Sequence, residues 1–101
     1  MTKTIEIVNF RLADGVTDEE FVAETKSMER NFLGKLHGFL DRDTGRSPTG
    51  DWIVVLHWNS AEDAQASMEK FVAAEGTKSF TSKIDMSTFK MTRFEMKDHY
   101  Q

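Results

Sequence analysis

The stretch WIVVLHWNSAEDA, residues 52–64, decides the fold. It begins with an apolar run of strand length, and the composition changes to polar at Asn59 and Ser60. Ser60 is a favoured residue at a helix N-cap, and Asp63 three residues later repeats the spacing of a capping box. We therefore predict a strand that ends at Trp58 and a helix that begins at Ala61.

Downstream, the same helix should turn one apolar stripe towards a sheet. The stripe consists of Ala64, Met68, Phe71 and Val72. Gly76 is well placed to stop the helix. The polar segment 77–85 then predicts a short helical turn or a mobile loop. A last strand is expected over residues 88–96, with Phe89 and Met91 on one face and Phe94 and Met96 on the other.

Upstream, residues 4–12 (TIEIVNFRL) alternate in a way that leaves apolar side chains on both faces, which predicts a strand covered on both sides. Thr17 and Glu20 then form a capping box. The helix that they start should extend from Asp18 to about Leu36, where His37 and Gly38 follow. Its predicted inner stripe is Phe21, Met28, Phe32 and Leu36. Residues 39–43 begin a second strand, and the loop around Pro48 connects it to the third.

The predicted order is strand, helix, strand, strand, helix, strand. This is the ferredoxin-like βαββαβ arrangement, an α+β fold in which right-handed crossovers place both helices on one face of an antiparallel sheet. We expect one domain covering residues 1–101. The other sheet face would still carry apolar residues, so we predict a symmetric homodimer that packs sheet against sheet.

The composition excludes several classes of function. The chain has no cysteine, which excludes disulfides and thiolate chemistry and favours a reducing cytoplasm. A formal net charge of −4 with interspersed charges leaves no basic stripe, so nucleic acid is not an expected partner. The first ten residues predict a strand and not a signal peptide, and no segment is apolar enough for a membrane partner.

Asn9 is the most unusual residue of the predicted first strand. An amide in an apolar strand must find hydrogen bonds or cost about 1 to 3 kcal/mol. One interpretation is a structural amide bonded to neighbouring backbone or to Thr92; the other is a polar group aimed at a ligand, with Arg93 as its companion. In the second case the apolar wall of the site would be Phe10, Met68, Phe71 and Phe89.

The three histidines show no metal-ligand spacing, and we predict no metal site. His57 lies at the end of a central strand, where it would line a pocket, pack at an interface or pack in the core. Trp58 should point to the opposite face and pack under the start of the second helix. His37 has a structural interpretation at a helix end, and the segment Asp41–Asp43 is typical of a solvated strand.

The sequence resembles the antibiotic biosynthesis monooxygenase-like family of the dimeric α+β barrel superfamily. Three stretches carry the resemblance: GVTDEEFVAE at 15–24, LHGFLDRD at 36–43 and DWIVVLHWNSAEDAQASMEKF at 51–71. It implies a βαββαβ protomer that dimerises through its sheets, with a cavity between sheet and helices. It also implies enzymes that oxygenate electron-rich aromatic substrates without flavin or metal, or that degrade haem, among members with no assigned activity.

The haem-degrading branch fits poorly. Its pattern has an asparagine on the first strand, which Asn9 matches, but its tryptophan and histidine positions fall on Ser67 and near Thr77. The quinol-oxygenating branch resembles this chain only in part, because the single tyrosine, Tyr100, lies in the tail. No cofactor is therefore predicted.

Two hypotheses follow. In the first, the protein is a cofactor-independent monooxygenase of a small aromatic or polyketide-like ligand, and Asn9, His57 and Arg93 favour the deprotonated substrate. In the second, it is a non-enzymatic ligand-binding or dimerisation module of the same fold. Asn9, His57 and Arg93 can form one site only if they converge on one cavity.

Overall fold

The computed structural model of the protein describes residues 2–74 and 77–100, without the side chain of Val72. The predictions for Val72 and Gly76 therefore lie outside the described residues. The elements in chain order are β1 (Thr4–Leu12), α1 (Asp18–Asn31), β2 (Phe39–Arg46), β3 (Trp52–Trp58), α2 (Ala61–Ala73), α3 (Lys78–Ser82) and β4 (Ile84–Glu95).

The four strands form one antiparallel sheet in the order β2-β3-β1-β4. The two strands at the centre pair from Thr4 opposite Trp58 to Phe10 opposite Trp52. The helices cover one face of this sheet, so the predicted ferredoxin-like α+β protomer is confirmed.

The core lies between the sheet and the helices. On β3, the residues Trp52, Val54, Leu56 and Trp58 are all buried. Phe21 of α1 is completely buried, and its ring centroid lies 5.0 Å from that of Trp52 and 5.4 Å from that of Phe80 on α3. The edge-on contact packs α1 against the sheet, and the tilted contact packs α3 against α1.

Both predicted helix starts are confirmed. Thr17 Oγ1 accepts a hydrogen bond of 3.1 Å from the backbone N–H of Glu20. Ser60 Oγ accepts one of 3.1 Å from the backbone N–H of Asp63 and donates one of 2.9 Å to the carboxylate of Asp63. Each cap satisfies an N–H group that has no partner inside its helix.

The first helix ends earlier than predicted. The α-helix stops at Asn31, and Phe32 leaves helical geometry with φ −131° and ψ −72°. A short 3-10 turn, Leu33–Lys35, follows. This change of direction turns Leu33 into the core, where 4% of its surface is exposed. Burial of a residue outside the predicted stripe therefore decides where the helix ends.

Two strands are longer than predicted. The second continues past Asp43 to Arg46, because residues 44–46 pair with Val54, Ile53 and Trp52. The last begins at Ile84 instead of residue 88, since Ile84 pairs with Leu12 beyond an irregularity in the β1–β4 register. The segment before it contains the predicted short helical turn as α3.

The face of the sheet opposite the helices, called here the outer face, is partly apolar. It carries Ile5, Ile7, Ile53, Val55 and Phe94. Phe94 is 49% exposed and Ile53 is 36% exposed. Apolar side chains on neighbouring strands thus form a continuous surface. Among the described residues, none of the helices has the length and apolar character needed to cross a bilayer.

Candidate functional site

A cavity of about 460 Å³ lies between the helix-facing side of the sheet and the helices. Its walls are mainly apolar and aromatic, and they include Val8, Phe10, Leu56, Met68, Phe71 and Phe89. This volume is within the range of small-molecule pockets. The sheet supplies the floor of the cavity, and α1, α2 and α3 supply parts of its walls.

A carboxylate also lines this cavity. Glu6 stands on β1 between Thr4 and Val8 on the helix-facing side, and it is only 6% exposed. Its Oε2 accepts a hydrogen bond of 2.7 Å from Arg93 Nε, and its Oε1 accepts one of 3.3 Å from Trp58 Nε1. The Arg93 guanidinium compensates the buried charge, which would otherwise be costly to remove from water.

Arg93 connects this carboxylate to the second helix. Its Nη1 donates a hydrogen bond of 2.8 Å to Gln65 Oε1, and its Nη2 lies 3.4 Å from the backbone oxygen of Ala64. Glu6 on β1 and Arg93 on β4 lie directly opposite each other in the sheet. Strand pairing and the helix contact together fix the position of the Glu6 carboxylate.

Arg42 places a second charge on the cavity wall. Its side chain is 11% exposed, and its Nη1 donates a hydrogen bond of 2.7 Å to Thr44 Oγ1. Its Nε lies 3.1 Å from Glu29 Oε1 as an ion pair but is not aligned for a hydrogen bond. The prediction of a solvated segment is therefore right for Asp41 and Asp43, which are exposed, and wrong for Arg42.

The two charged residues lie in one row of the sheet. Glu6 pairs with Leu56, and Leu56 pairs with Arg42. Because neighbouring strands are about 4.8 Å apart, the two backbones are separated by roughly 10 Å. The floor of the cavity is thus apolar in the middle, with an acidic residue on one side and a basic residue on the other.

The structure brings together only some of the predicted site residues. Phe10, Met68, Phe71 and Phe89 all line the cavity. Arg93 lies next to it through its bond to Glu6. Asn9 and His57 project from the outer face, on the other side of the sheet. The three side chains suggested from the sequence as one polar site, Asn9, His57 and Arg93, therefore do not converge on one cavity.

The placement of Asn9 follows from strand alternation. Phe10 and Val8 face the helices, so Asn9 between them must face outwards. It is exposed and pairs with Ile53 and Lys90, whereas Thr92 pairs with Ile7. The side chain therefore does not occupy the buried apolar position assumed for it.

Strand alternation also places the His57 side chain on the outer face. Its Nδ1 lies 2.5 Å from Asp41 Oδ1 on the neighbouring strand. Trp58, the next residue, is completely buried and packs edge-on against Phe39 with a centroid distance of 5.4 Å. The predicted packing of Trp58 on the helix side is confirmed. Its ring also lines the cavity, so the same side chain belongs to the core and to the candidate site.

Glu6 and Arg42 were not among the site residues predicted from the sequence. Glu6 could have been identified from the sequence, because alternate residues of a strand share one face. Glu6 lies on the same face as Val8 and Phe10 and is the one charged residue on that face of β1. A carboxylate on an apolar, buried strand face is rarely found without a positively charged or hydrogen-bonding partner. The signal for Arg42 was weaker, since a short segment of alternating charges is usually solvated.

With this geometry established, comparison with solved structures identifies the fold. SnoaB, a cofactor-independent oxygenase from Streptomyces nogalater, superposes with a TM-score of 0.76 over 98% of this chain and 97% of its own, at 11% identity. The chain has the protomer fold of the antibiotic biosynthesis monooxygenase-like structures. The fold predicted from the family resemblance is thereby confirmed.

Two further structures have the same fold. The monooxygenase ActVA-Orf6 of Streptomyces coelicolor, in complex with nanaomycin D, gives a TM-score of 0.76 at 16% identity and covers 99% of this chain and 92% of its own. A dimeric ferredoxin-like protein from an uncultured marine organism gives 0.68 at 11% identity, with coverages of 100% and 93%. No protein-family model matches the sequence, and no curated protein sequence matches it.

Proposed function

We propose that the protein is a cofactor-independent monooxygenase that acts on a small hydroxylated aromatic substrate in the cavity between sheet and helices. The observation that carries this proposal is the cavity itself, whose volume of about 460 Å³ and aromatic and aliphatic walls suit a ligand of two or three fused rings. The fold shared with a cofactor-independent oxygenase and with a monooxygenase that holds nanaomycin D supports it.

The proposed reaction needs no external reductant. A phenol with a free ring C–H loses its hydroxyl proton, and the electron-rich phenolate reduces O2 and forms a carbon–oxygen bond to it. Loss of the ring hydrogen and cleavage of the O–O bond then leave a quinone and one molecule of water. One oxygen atom enters the product and the other leaves as water. All four electrons that reduce O2 come from the substrate, as the phenol is oxidised to the quinone.

The protein's part in such a reaction is positioning and electrostatics. The apolar wall around Phe71 and Phe89 would hold the ring and exclude water. The polar side of the cavity, where Arg93 and Trp58 hold Glu6, would meet the hydroxyl group.

An oxygen electrode tests the proposal. Purified protein is supplied with a panel of aromatic polyols and quinols, and oxygen uptake is compared with that of each compound alone. We expect protein-dependent uptake with at least one compound, with one O2 consumed for each quinone formed. Aromatic compounds that bind in the cavity and consume no oxygen above background would contradict the proposed reaction.

One observation favours a second candidate, a ligand-binding module without catalysis. The constellation predicted for an oxygenase is not assembled, because Asn9 and His57 lie on the face opposite the cavity. A protein that keeps the cavity but not the reactive groups would bind aromatic compounds and leave them unchanged. The same panel separates the two candidates, since bound ligand would be recovered intact.

We also propose that two copies associate through the outer face. The exposed Phe94 and Ile53 form part of an apolar surface that a small monomer would rarely leave in water. A two-fold axis would place the same surface of a second copy against it. Ile53, Val55 and His57 would then be the interface residues of β3, since the other side of this strand faces the helices.

A further inference from the structure

We infer that Glu6 is the ligand-recognition group of the cavity: it accepts a hydrogen bond from an aromatic hydroxyl and then takes the proton. This inference rests on the proposed function and names the residue and the substrate class, phenols in preference to aryl ethers. It goes beyond the residues predicted from sequence, which did not include Glu6.

The Glu6 carboxylate has unused hydrogen-bonding capacity. A carboxylate can accept about four hydrogen bonds. The described residues supply two to Glu6, from Arg93 and from Trp58, and the second is long at 3.3 Å. The sheet neighbours of Glu6 on the cavity floor, Val8 and Leu56, are apolar and have no side-chain donor. A ligand hydroxyl would provide the missing donor.

The charge around Glu6 also favours a phenol. Arg93 lies against one oxygen of the carboxylate and is held at its other end by Gln65 on α2. The pair is neutral overall, so the site favours a neutral donor over a ligand that arrives as a carboxylate. Arg42, a cation that lines the cavity, is paired with Glu29 and bonded to Thr44, and it stands two strands away across Leu56.

The proton transfer balances within the site. The O–H bond of the bound phenol breaks, and an O–H bond forms on Glu6. The electron pair stays on the phenolate oxygen, which activates the ring for oxygen. The total charge of ligand, Glu6 and Arg93 does not change, and the guanidinium stays within reach of the negative charge. A purely structural Glu6–Arg93 ion pair would give none of the ligand preferences that follow.

A matched pair of ligands tests recognition without any variant. Equilibrium dialysis measures binding of 2-naphthol and of 2-methoxynaphthalene, which have the same rings and differ in the hydroxyl proton. The wild-type protein should bind the naphthol about 10-fold or more tightly, as expected for a hydrogen bond to a charged acceptor. Equal binding of both would overturn the role of Glu6 and leave the cavity as a binding site. Binding of neither compound would overturn this inference and the proposed function together.

Variants then assign the preference to Glu6. The double variant Glu6→Leu/Arg93→Leu removes both members of the buried pair and leaves no unpaired charge, which favours folding. It should bind the two compounds equally, and so should Glu6→Leu alone if it folds. Glu95→Gln is the control, because Glu95 is an exposed carboxylate on the neighbouring strand, opposite Thr4. It should keep the wild-type preference. A preference that survives in the double variant would contradict the inference.

Discussion

The indole nitrogen of Trp58 lies 3.3 Å from Oε1 of Glu6, so the ring that ends β3 also holds the carboxylate at the edge of the cavity. The two residues are diagonal neighbours in the sheet, since Trp58 pairs with Thr4 and Glu6 pairs with Leu56. Trp58 is completely buried and lines the cavity at the same time. Packing and ligand recognition are therefore coupled at this residue.

Replacement of Trp58 by alanine should lower the free energy of unfolding by about 3 to 5 kcal/mol, because a large buried aromatic ring is lost and a void remains. Trp58→Phe keeps most of the ring and loses only the bond to Glu6, so its cost should be nearer to about 1 kcal/mol. Urea denaturation of both variants measures the difference. An unchanged midpoint for Trp58→Ala, with loss of aromatic ligand binding, would show that the ring serves only the site.

The cap of α2 makes a smaller contribution. Ser60→Ala removes the acceptor for the backbone N–H of Asp63 and should cost about 1 kcal/mol. Thr17→Ala at the start of α1 is the matched substitution, with the same 3.1 Å bond to the backbone N–H of Glu20, and should cost a similar amount. Thermal unfolding of both variants checks this. If neither variant shifts the transition, the caps do not stabilise the fold.

Gly38 should tolerate substitution much less than Gly15. Both have positive φ, +84° and +82°, so alanine at either position should cost about 1 to 2 kcal/mol. A Cβ at Gly38 would in addition overlap the carboxylate of Asp63, which accepts a hydrogen bond from the Ser60 hydroxyl. A Cβ at Gly15 would meet nothing within 4 Å. We expect Gly38→Ala to cost about 1 to 3 kcal/mol more. Equal losses of unfolding free energy for the two variants in urea denaturation would refute the close contact between Gly38 and Asp63.

The outer face should control the oligomeric state. Sedimentation of the wild-type protein at micromolar concentration should give twice the mass of one 11.6 kDa chain. Val55→Glu places a charge in the proposed interface and should give monomer or unfolded protein. Ala66→Glu, on the exposed side of α2, should stay dimeric. A wild-type protein that sediments as a monodisperse monomer would contradict the proposed interface.

Much of the fold could be predicted from local signals. The caps at Thr17 and Ser60 and the apolar stretch of β3 are short-range features, and both helix starts and that strand are confirmed. The end of α1 could not be predicted in this way. It depends on the burial of Leu33, which is a tertiary contact that no periodicity in the helix itself encodes.

The site was harder to predict because it depends on which face of each strand meets the helices. β1 carries apolar residues on both faces, so the sequence does not show which set meets the helices. Asn9 has its side chain on the same face of β1 as Ile5 and Ile7, so it could line the cavity only if that face met the helices. The structure places the other face, with Glu6 and Val8, against the cavity. Met68 and Phe71 do line the cavity, because a helix with one apolar stripe leaves no such choice of face.

The central claim is that the ligand occupies the cavity between sheet and helices, and one pair of variants of α2 tests it. Met68 lines the cavity, and Ala66 lies on the exposed side of the same helix. Met68→Trp should fill the cavity and abolish both aromatic ligand binding and substrate-dependent oxygen uptake, while Ala66→Trp should retain both at the wild-type level. Thermal unfolding confirms that each variant is folded. Full binding and uptake by a folded Met68→Trp variant would contradict the account.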